Sequence, residues 1–334
     1  MKVHSDIQGL AFPAMKAMML HEAHEHGLPV LKDTVTRLMV KSDYGAFGID
    51  AKDNGLRLSV EAEHEADLFV LRDSLVAHIA HFLPDVAATI KWSDAVQSGQ
   101  LPPNFQFGEL ISSERLCADF QRLVLRLSDP DRFDDRSIHF RFVLPKPDDD
   151  DPQWPFVSQN GATVWPDGEK ALHRPVYTVR HLHENEITVD IFRHDGGRTT
   201  EWADKVAPGT RVGIVGPGGG GVLEETEVLL AGDETAYPAI SRIIDALPKG
   251  STGNVLLLDH GDKADYPIPT HEGLTLRWIA PQDFDDAVVG SLPNAENGYA
   301  WIAAEKARIK IYRAHEAISA FAKDQRYLAS YWSA

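Results

Sequence analysis

The chain has 334 residues, 43% of them hydrophobic and 25% charged, and a formal net charge of −17. That length favours two or three domains over a single core, and the acidic balance argues against general nucleic-acid binding, which needs a basic face. The longest apolar runs, such as Val255–Leu258, fall far short of the ~20 residues of a membrane span. Met1–Asp6 lacks the apolar centre of a signal peptide, so neither membrane insertion nor export is expected. The single cysteine, Cys117, rules out an internal disulfide framework, fits a reducing compartment and reads as a packing residue. A cytoplasmic, multidomain protein is expected.

Residues 1–92 read as a small α+β domain. Phe12–Glu25 is a helical stretch stopped by Gly27 and Pro29. Strand-like runs follow at Val35–Val40, Tyr44–Asp50 and Leu56–Ala62, the last two joined by Asp53-Asn54-Gly55, a hairpin signal because Asn-Gly tolerates positive φ. Leu68, Leu71, Leu75, Ile79 and Phe82 mark one face of a second helix, and Thr89–Trp92 is a candidate closing strand. His21, His24 and His26 end the first helix; His78 and His81 lie near the end of the second. Imidazoles three apart share a helix face and can ligate metal. Without a third ligand at a known spacing they read as histidines that complement helix dipoles, and no metal ligand is assigned.

Ser93–Asn104 lacks periodicity and reads as a linker. Strand-like Gln121–Leu127 and Ile138–Leu144 come next, then a Pro- and Asp-rich excursion, Pro145–Leu172, read as a lid or a solvated insertion. Beyond it the alternation of Ile187, Val189 and Ile191, and of Val212 and Ile214, with turn residues between, suggests a closed antiparallel barrel. Gly196-Gly197 precedes a short helix with Thr199 or Thr200 as its expected N-cap, and such a helix start seats pyrophosphate. An aromatic strand at Tyr177-Thr178, a second strand and then that helix form an order that suits a flavin. Gly216–Gly221 matches G-x-G-x-x-G in letters but is followed by loop and strand, not helix, so it reads as an interdomain hinge.

Val228–Ala231 runs into Gly232, Asp233, Glu234, Thr235 and Ala236, then into a helix with Ile240, Ile243, Ile244 and Leu247 on one face. Strand–glycine–helix lets a backbone approach a nucleotide closely. Strand candidates Asn254–Asp259, Leu274–Ala280 and Tyr299–Ala303 imply a parallel α/β sheet. In the last helix Ile311, Ala314, Ile318 and Phe321 are expected to face the core. Lys306, Lys310 and Arg313, with Arg308 nearby, form a cationic stripe that reads as an anion site or a solvated face. Tyr331-Trp332 reads as a pocket closure or as core.

The motifs RPVYTVR, VDIFRHDG, TTEWA, PGTRVGIVGPGG, LLAGDETAYPAI and YAWIAAE closely resemble siderophore-interacting proteins, FAD-dependent ferric-siderophore reductases of the ferredoxin-reductase-like superfamily. The resemblance covers about 105–334. It implies that Tyr177, Thr178 and Val179 flank the isoalloxazine ring, that His194 is the strand-end histidine, and that Gly197, Thr199 and Thr200 form the pyrophosphate helix start. Gly232–Ala236 with Ala304 and Glu305 would bind NADPH or NADH. Lys306, Arg308, Lys310 and Arg313 would meet either the cofactor phosphate or an anionic ferric siderophore. The family's Arg-x-Tyr-Thr arginine is displaced by one residue, to Arg174, with Pro175 in its place. A one-residue shift turns a strand side chain to the other face, so either a bulge at Pro175 restores the geometry or Arg180 or another donor serves the phosphate. Ala304 stands where the family has glycine. The AHEHGLPV, AHIAHFLP and IKW segments resemble a small domain family of unknown function found fused to such reductases.

The expected architecture is an α+β domain (1–92), a linker (93–104), an antiparallel Greek-key FAD barrel (105–221) and an α/β parallel-sheet NAD(P)H domain (222–334). The expected activity is NAD(P)H-to-FAD-to-ferric-chelate electron transfer. Another acceptor, or a non-catalytic flavin- or metal-binding sensor, is the alternative.

Overall fold

The computed structural model describes residues 1–94, 96–261 and 265–333; Ala95 of the expected linker lies outside them. The chain divides into two compact units, one of Met1–Phe105 with Asp148–Leu172, the other of Gln106–Pro147 with His173–Ala334. Among the described residues no helix is long and apolar enough to cross a membrane.

The first unit opens with β1 (Lys2–Gln8), whose side chains alternate between exposed and buried as in a half-buried strand. The sequence reading assigned no strand there. After α1 (Phe12–Glu25) come β2 (Val30–Asp33), β3 (Arg37–Ser42), β4 (Gly45–Lys52) and β5 (Gly55–Glu61). They form an antiparallel sheet in the order β1-β5-β4-β3-β2. The Asn-Gly hairpin forms as expected, Lys52 facing Gly55 at φ 151. Val35 is 89% exposed, because the Thr34 hydroxyl accepts the Arg37 N–H and makes 34–37 a turn, not the start of a strand. Helix α2 (Glu65–Phe82) buries Leu68, Leu71, Leu75 and Ile79. Phe82 is half exposed instead, at the end where α2 breaks at Leu83. The expected closing strand is also replaced: Pro84 at the first helical position starts α3 (Pro84–Thr89), and Ile90 and Trp92 bury their side chains from extended chain.

The barrel starts with β6 (Phe105–Arg115), β7 (Phe120–Leu127) and β8 (His139–Val143). The excursion that follows is neither lid nor solvated insertion but part of the first unit. It carries the short pair β9 (Phe156–Val157) and β10 (Thr163–Val164). There the Trp92 indole donates to the Asn160 carbonyl at 2.8 Å, the Asn160 amide to Ala87, and the Thr163 N–H to the Asp73 carboxylate at 2.6 Å. The chain re-enters the barrel at β11 (Val176–Thr178), β12 (His181–His183), β13 (Glu186–Phe192), helix α4 (Arg198–Lys205) and β14 (Arg211–Gly218). Strand order is β11-β8-β14-β6-β7-β13-β12. Because β11 and β12 are consecutive pieces of one strand-like stretch, the two ends of that order meet and the sheet closes on itself. Leu110, Leu123, Leu125, Phe142, Ile187, Val189 and Ile214 fill it.

Gly219–Gly221 form a close crossing, not a hinge. A Cβ at Gly219 would lie 2.7 Å from the His139 ring, and one at Gly221 2.4 Å from the Asp135 carbonyl oxygen. The second half follows with β15 (Glu227–Gly232), α5 (Tyr237–Ala246), β16 (Thr252–Leu258), β17 (Leu274–Ile279), α6 (Phe284–Gly290), β18 (Tyr299–Glu305), α7 (Lys306–Ala314), α8 (Glu316–Ser319) and β19 (Arg326–Trp332). Its parallel sheet has the order β17-β16-β15-β18-β19. The last strand contains Tyr331 and Trp332 and was not foreseen. On α7 the buried residues are Ile309 and Tyr312, while Ile311 is 56% exposed; the helix stops at Ala314, so the stripe extrapolated from Ile318 and Phe321 is out of phase.

Candidate functional site

Two places on the second unit gather the residues singled out by sequence. The first is the start of α4. Its N-cap is Gly197, extended at φ −74 and ψ 114, with no side-chain cap; Thr199 and Thr200 lie inside the helix. That corrects the expected threonine cap, and the reason is steric. A Cβ at Gly197 would stand 2.8 Å from His194 and 2.9 Å from the Thr200 hydroxyl, so a capping side chain has no room. The threonine hydroxyls act elsewhere. Thr199 is hydrogen-bonded to His173 Nε2 (3.2 Å) and stands near enough to the Tyr177 hydroxyl to offset part of the upward push of burial on it, and Thr200 accepts the His194 N–H at 3.4 Å. The first-turn amides are thus left without a side-chain partner at a helix start, an arrangement that seats an anion.

The displaced arginine now has an answer. His173 faces Leu144, and Thr178 faces His139: five residues on along one strand, five back along the other. No residue is inserted between them, so there is no bulge at Pro175. Side chains two apart share a face, which puts His173, Pro175 and Tyr177 on one side and Arg174 on the other. Arg174 lies beside Arg141, whose guanidinium donates to the Arg174 carbonyl at 3.0 Å; partial burial and that like charge bring the Arg174 guanidinium below its ordinary range. Arg180 is not a substitute, since its side chain is buried and paired with Asp245 of α5 at 2.7 Å. A cation near His173, on Tyr177's side, is Arg198, the first residue of α4. It is exposed and close enough to His173 to add to the burial that lowers that imidazole.

Thr178 is buried against His139, its hydroxyl 3.2 Å from Nδ1, and His139 Nε2 is 3.1 Å from the Tyr331 hydroxyl. Val179 is fully buried in the barrel core, and its carbonyl accepts from Arg242 at 2.6 Å. It contributes packing and no open polar group. Burial, with a smaller push from Arg242, brings His139 down to about 4, so it is neutral at pH 7 and one ring nitrogen donates while the other accepts. The unfolded chain titrates near 6.5 and takes up the proton first as pH falls. Stability from this group is therefore present above about pH 6.5 and is lost towards pH 4, by up to about 3 kcal/mol. His139→Gln, which keeps a donor and an acceptor but does not titrate, should lose about 2–3 kcal/mol less than wild type between pH 7 and 4.5 in urea unfolding. Equal losses would remove His139 as a source of acid sensitivity.

The second place is the carboxyl end of the parallel sheet, where order reverses between β15 and β18, the usual crevice in open α/β sheets. Gly232 passes closely there; a Cβ would lie 2.5 Å from Ala236 and 2.7 Å from the Ala303 carbonyl. Asp233 is buried and turned inward. Its carboxylate accepts from the Thr235 N–H and hydroxyl, the Glu305 N–H at 2.9 Å and the Trp332 indole at 2.8 Å. It therefore ties three strand ends together. Glu234 pairs with His260 at 2.7 Å, and Glu305 caps α7 through the Ala307 N–H. Ala304 is fully buried among Leu229, Ala231 and Ile302, so its methyl fills the core and does not narrow the crevice.

The cationic stripe is only partly intact. Arg308 is paired with Asp285 over the Phe284 ring, and Arg313 donates to the Leu328 carbonyl. Lys306 and Lys310 remain exposed and, among the described residues, make no ion pair. Sequence reasoning missed His139, Arg141, His173 and Arg198. Only Arg198 carried a local signal, in the Gly-Gly-Arg that precedes Thr199.

The residues present fit a flavin nucleotide: a helix start with glycine at its cap and no side-chain cap on its amides, and an aromatic strand beside it. A family model described as siderophore-interacting FAD-binding domain matches residues 109–221, and one described as siderophore-interacting protein matches 225–334. The chain is 28% identical over 242 residues to an NADPH-dependent ferric-chelate reductase of Escherichia coli, covering 69% of this chain and 94% of that one. It is 32% identical over 199 residues to the ferric vibriobactin reductase ViuB of Vibrio cholerae, covering 53% of this chain and 69% of that one. In fold it is similar to the siderophore-interacting protein SipS of Aeromonas hydrophila, with a TM-score of 0.58 and 20% identity over 69% of this chain and 99% of that one. The chain belongs to the siderophore-interacting protein family, FAD-dependent oxidoreductases with a flavin barrel followed by a nucleotide-binding sheet.

Proposed function

We propose that this chain is an NAD(P)H-dependent ferric-siderophore reductase of the cytoplasm, in which bound FAD supplies the conversion from hydride to single electrons. The observation that carries this reading is the meeting of Tyr177's face of the strand with the uncapped start of α4, where His173 on that face bonds the Thr199 hydroxyl at 3.2 Å. Gly197 and the amides of Arg198, Thr199 and Thr200 hold the pyrophosphate, with the Arg198 guanidinium beside it. Tyr177 would lie against the flavin, while on the other face of the strand His139 holds the buried Thr178 hydroxyl and so fixes the strand in place. Gly232 lets the nicotinamide nucleotide approach the strand ends that Asp233 gathers, and Lys306 and Lys310 attract the anionic partner. The names of the relatives from E. coli and V. cholerae support a ferric chelate as acceptor. Reduction loosens the chelate because hard oxygen ligands hold Fe(II) less strongly than Fe(III). The described side chains supply binding and orientation, which is the protein's share in cofactor chemistry.

Purified protein should show a flavin spectrum, or gain one with FAD, that bleaches with NAD(P)H and returns with ferric siderophore. Tyr177→Ala should lower flavin retention about tenfold or more, the loss of one good aromatic contact. Colourless protein that takes up no FAD would overturn the proposal. Bleaching without recovery on any ferric chelate would replace the acceptor.

A further inference from the structure

The first unit contains a group of side chains that the flavin reading does not use. Glu22 lies in the last turn of α1, and His26 is the residue that caps that helix, with its N–H bonded to the Glu22 carbonyl. His78 lies on α2. Glu22 Oε2 is 2.9 Å from His78 Nε2 and 3.6 Å from His26 Nε2, and the ligand atoms of all three fall within 4.8 Å of one another. The two imidazoles meet edge to face, centroids 6.4 Å apart, so their nitrogens converge on the carboxylate without the rings stacking.

The spacing is informative. Metal–nitrogen and metal–oxygen bonds of about 2.0–2.2 Å place neighbouring donor atoms roughly 2.9–3.5 Å apart, from octahedral to tetrahedral angles. The His78 separation of 2.9 Å falls at the lower end of that range, and the His26 separation of 3.6 Å is just beyond its upper end, a shift of about 0.1 Å from it. His78 bonds the Glu22 carboxylate, and the His26 and His21 imidazoles act on it as well. The Glu22 carboxylate between two imidazoles is an anionic oxygen donor, and the carboxyl end of α1 adds the negative pole of its dipole.

The ligands are also held by packing. Met15, Met19 and Ala23 of α1 and Leu71, Leu75 and Ile79 of α2 belong to one buried cluster, so the spacing is set by two packed helices. Glu22 is partly buried, while His26 and His78 are exposed, which leaves coordination positions open to water or another ligand.

We infer that Glu22, His26 and His78 bind a divalent first-row transition ion through two imidazoles and one carboxylate. Nitrogen and oxygen donors of this kind suit Zn²⁺, Fe²⁺ or Ni²⁺, and their exposure excludes no water from the ion. The site stands independently of the flavin reading, because none of its residues lies in the flavin-bearing unit.

The test uses the tag-free full chain, stripped with chelator and titrated with Zn²⁺ by calorimetry and with Co²⁺ by visible absorption. One ion per chain is expected, with a Kd in the micromolar range or tighter. Glu22→Gln and His78→Ala should each weaken binding at least tenfold, while His81→Ala leaves it unchanged and all variants keep the flavin content of the parent. The Co²⁺ band should vanish in His78→Ala. Absence of a bound ion in the parent, or equal affinity in parent, Glu22→Gln and His78→Ala, overturns the inference.

Discussion

Asp190→Ala is expected to lower the stability of the second unit by about 3–5 kcal/mol, the cost of breaking a buried ion pair from one side. Asp190 lies on β13 directly opposite Arg122, and its side chain is wholly inaccessible. Arg122 grips it with two bonds of 2.7 and 2.8 Å, and the Tyr266 hydroxyl donates a third at 2.7 Å. Burial and the carboxylate push the Tyr266 hydroxyl well above its ordinary range, so at neutral pH it is protonated and donates. Removing the carboxylate strands a partly buried guanidinium and a buried phenol together. Asp190→Asn, which keeps an acceptor for Tyr266, should lose less, and Arg122→Met with Asp190→Leu should recover part of the loss because no charge is left unpaired. Urea unfolding of the three variants checks this; a loss under about 1 kcal/mol in Asp190→Ala would mean that the barrel does not depend on the pair.

Arg198→Glu should weaken FAD binding about 100-fold, or roughly 3 kcal/mol, since it replaces an attraction to pyrophosphate with a repulsion at the helix start. The family pattern points to Arg174, but the unbroken register from His173 to Thr178 turns Arg174 away from Tyr177. Arg174→Glu is therefore expected to cost less than about tenfold in the same titration. Fluorescence quenching of FAD by the apoprotein measures both. A larger effect at Arg174 than at Arg198 would reverse the assignment and place the phosphate on the Arg141 side of the strand.

What was legible in the sequence was local. The Asn54-Gly55 hairpin, the glycine turn after Ala231 and the alternation of Ile187, Val189 and Ile191 each depend on neighbours in the chain, and each is found where expected. The contacts that define the site depend on partners far apart. His139 looks like one polar residue in an alternating strand until Thr178, 39 residues on, and Tyr331, 192 residues on, reach its two nitrogens. The expected cap at Thr199 or Thr200 fails for a related reason: the sequence places two threonines just past Gly197 but does not show that His194 fills the space a capping side chain would need. Gly219 and Gly221 look like freedom in the sequence and are close packing in the fold, because what they touch, His139 and Asp135, lies some eighty residues earlier.

The detour of the chain between β8 and β11 also bears on how the molecule is made. Residues 148–172 complete the first unit, supplying Asn160 to Trp92 and Ala87 and the Thr163 N–H to Asp73. On a ribosome that builds from the amino terminus, the first unit stays unfinished until three barrel strands have already emerged. Trp92 and the partly buried Asp73 must wait for partners encoded more than sixty residues later. A deletion that removes residues 1–104 alone would leave an orphaned segment in the middle of the barrel, so a clean excision needs two cuts and a short bridge from Pro147 to His173.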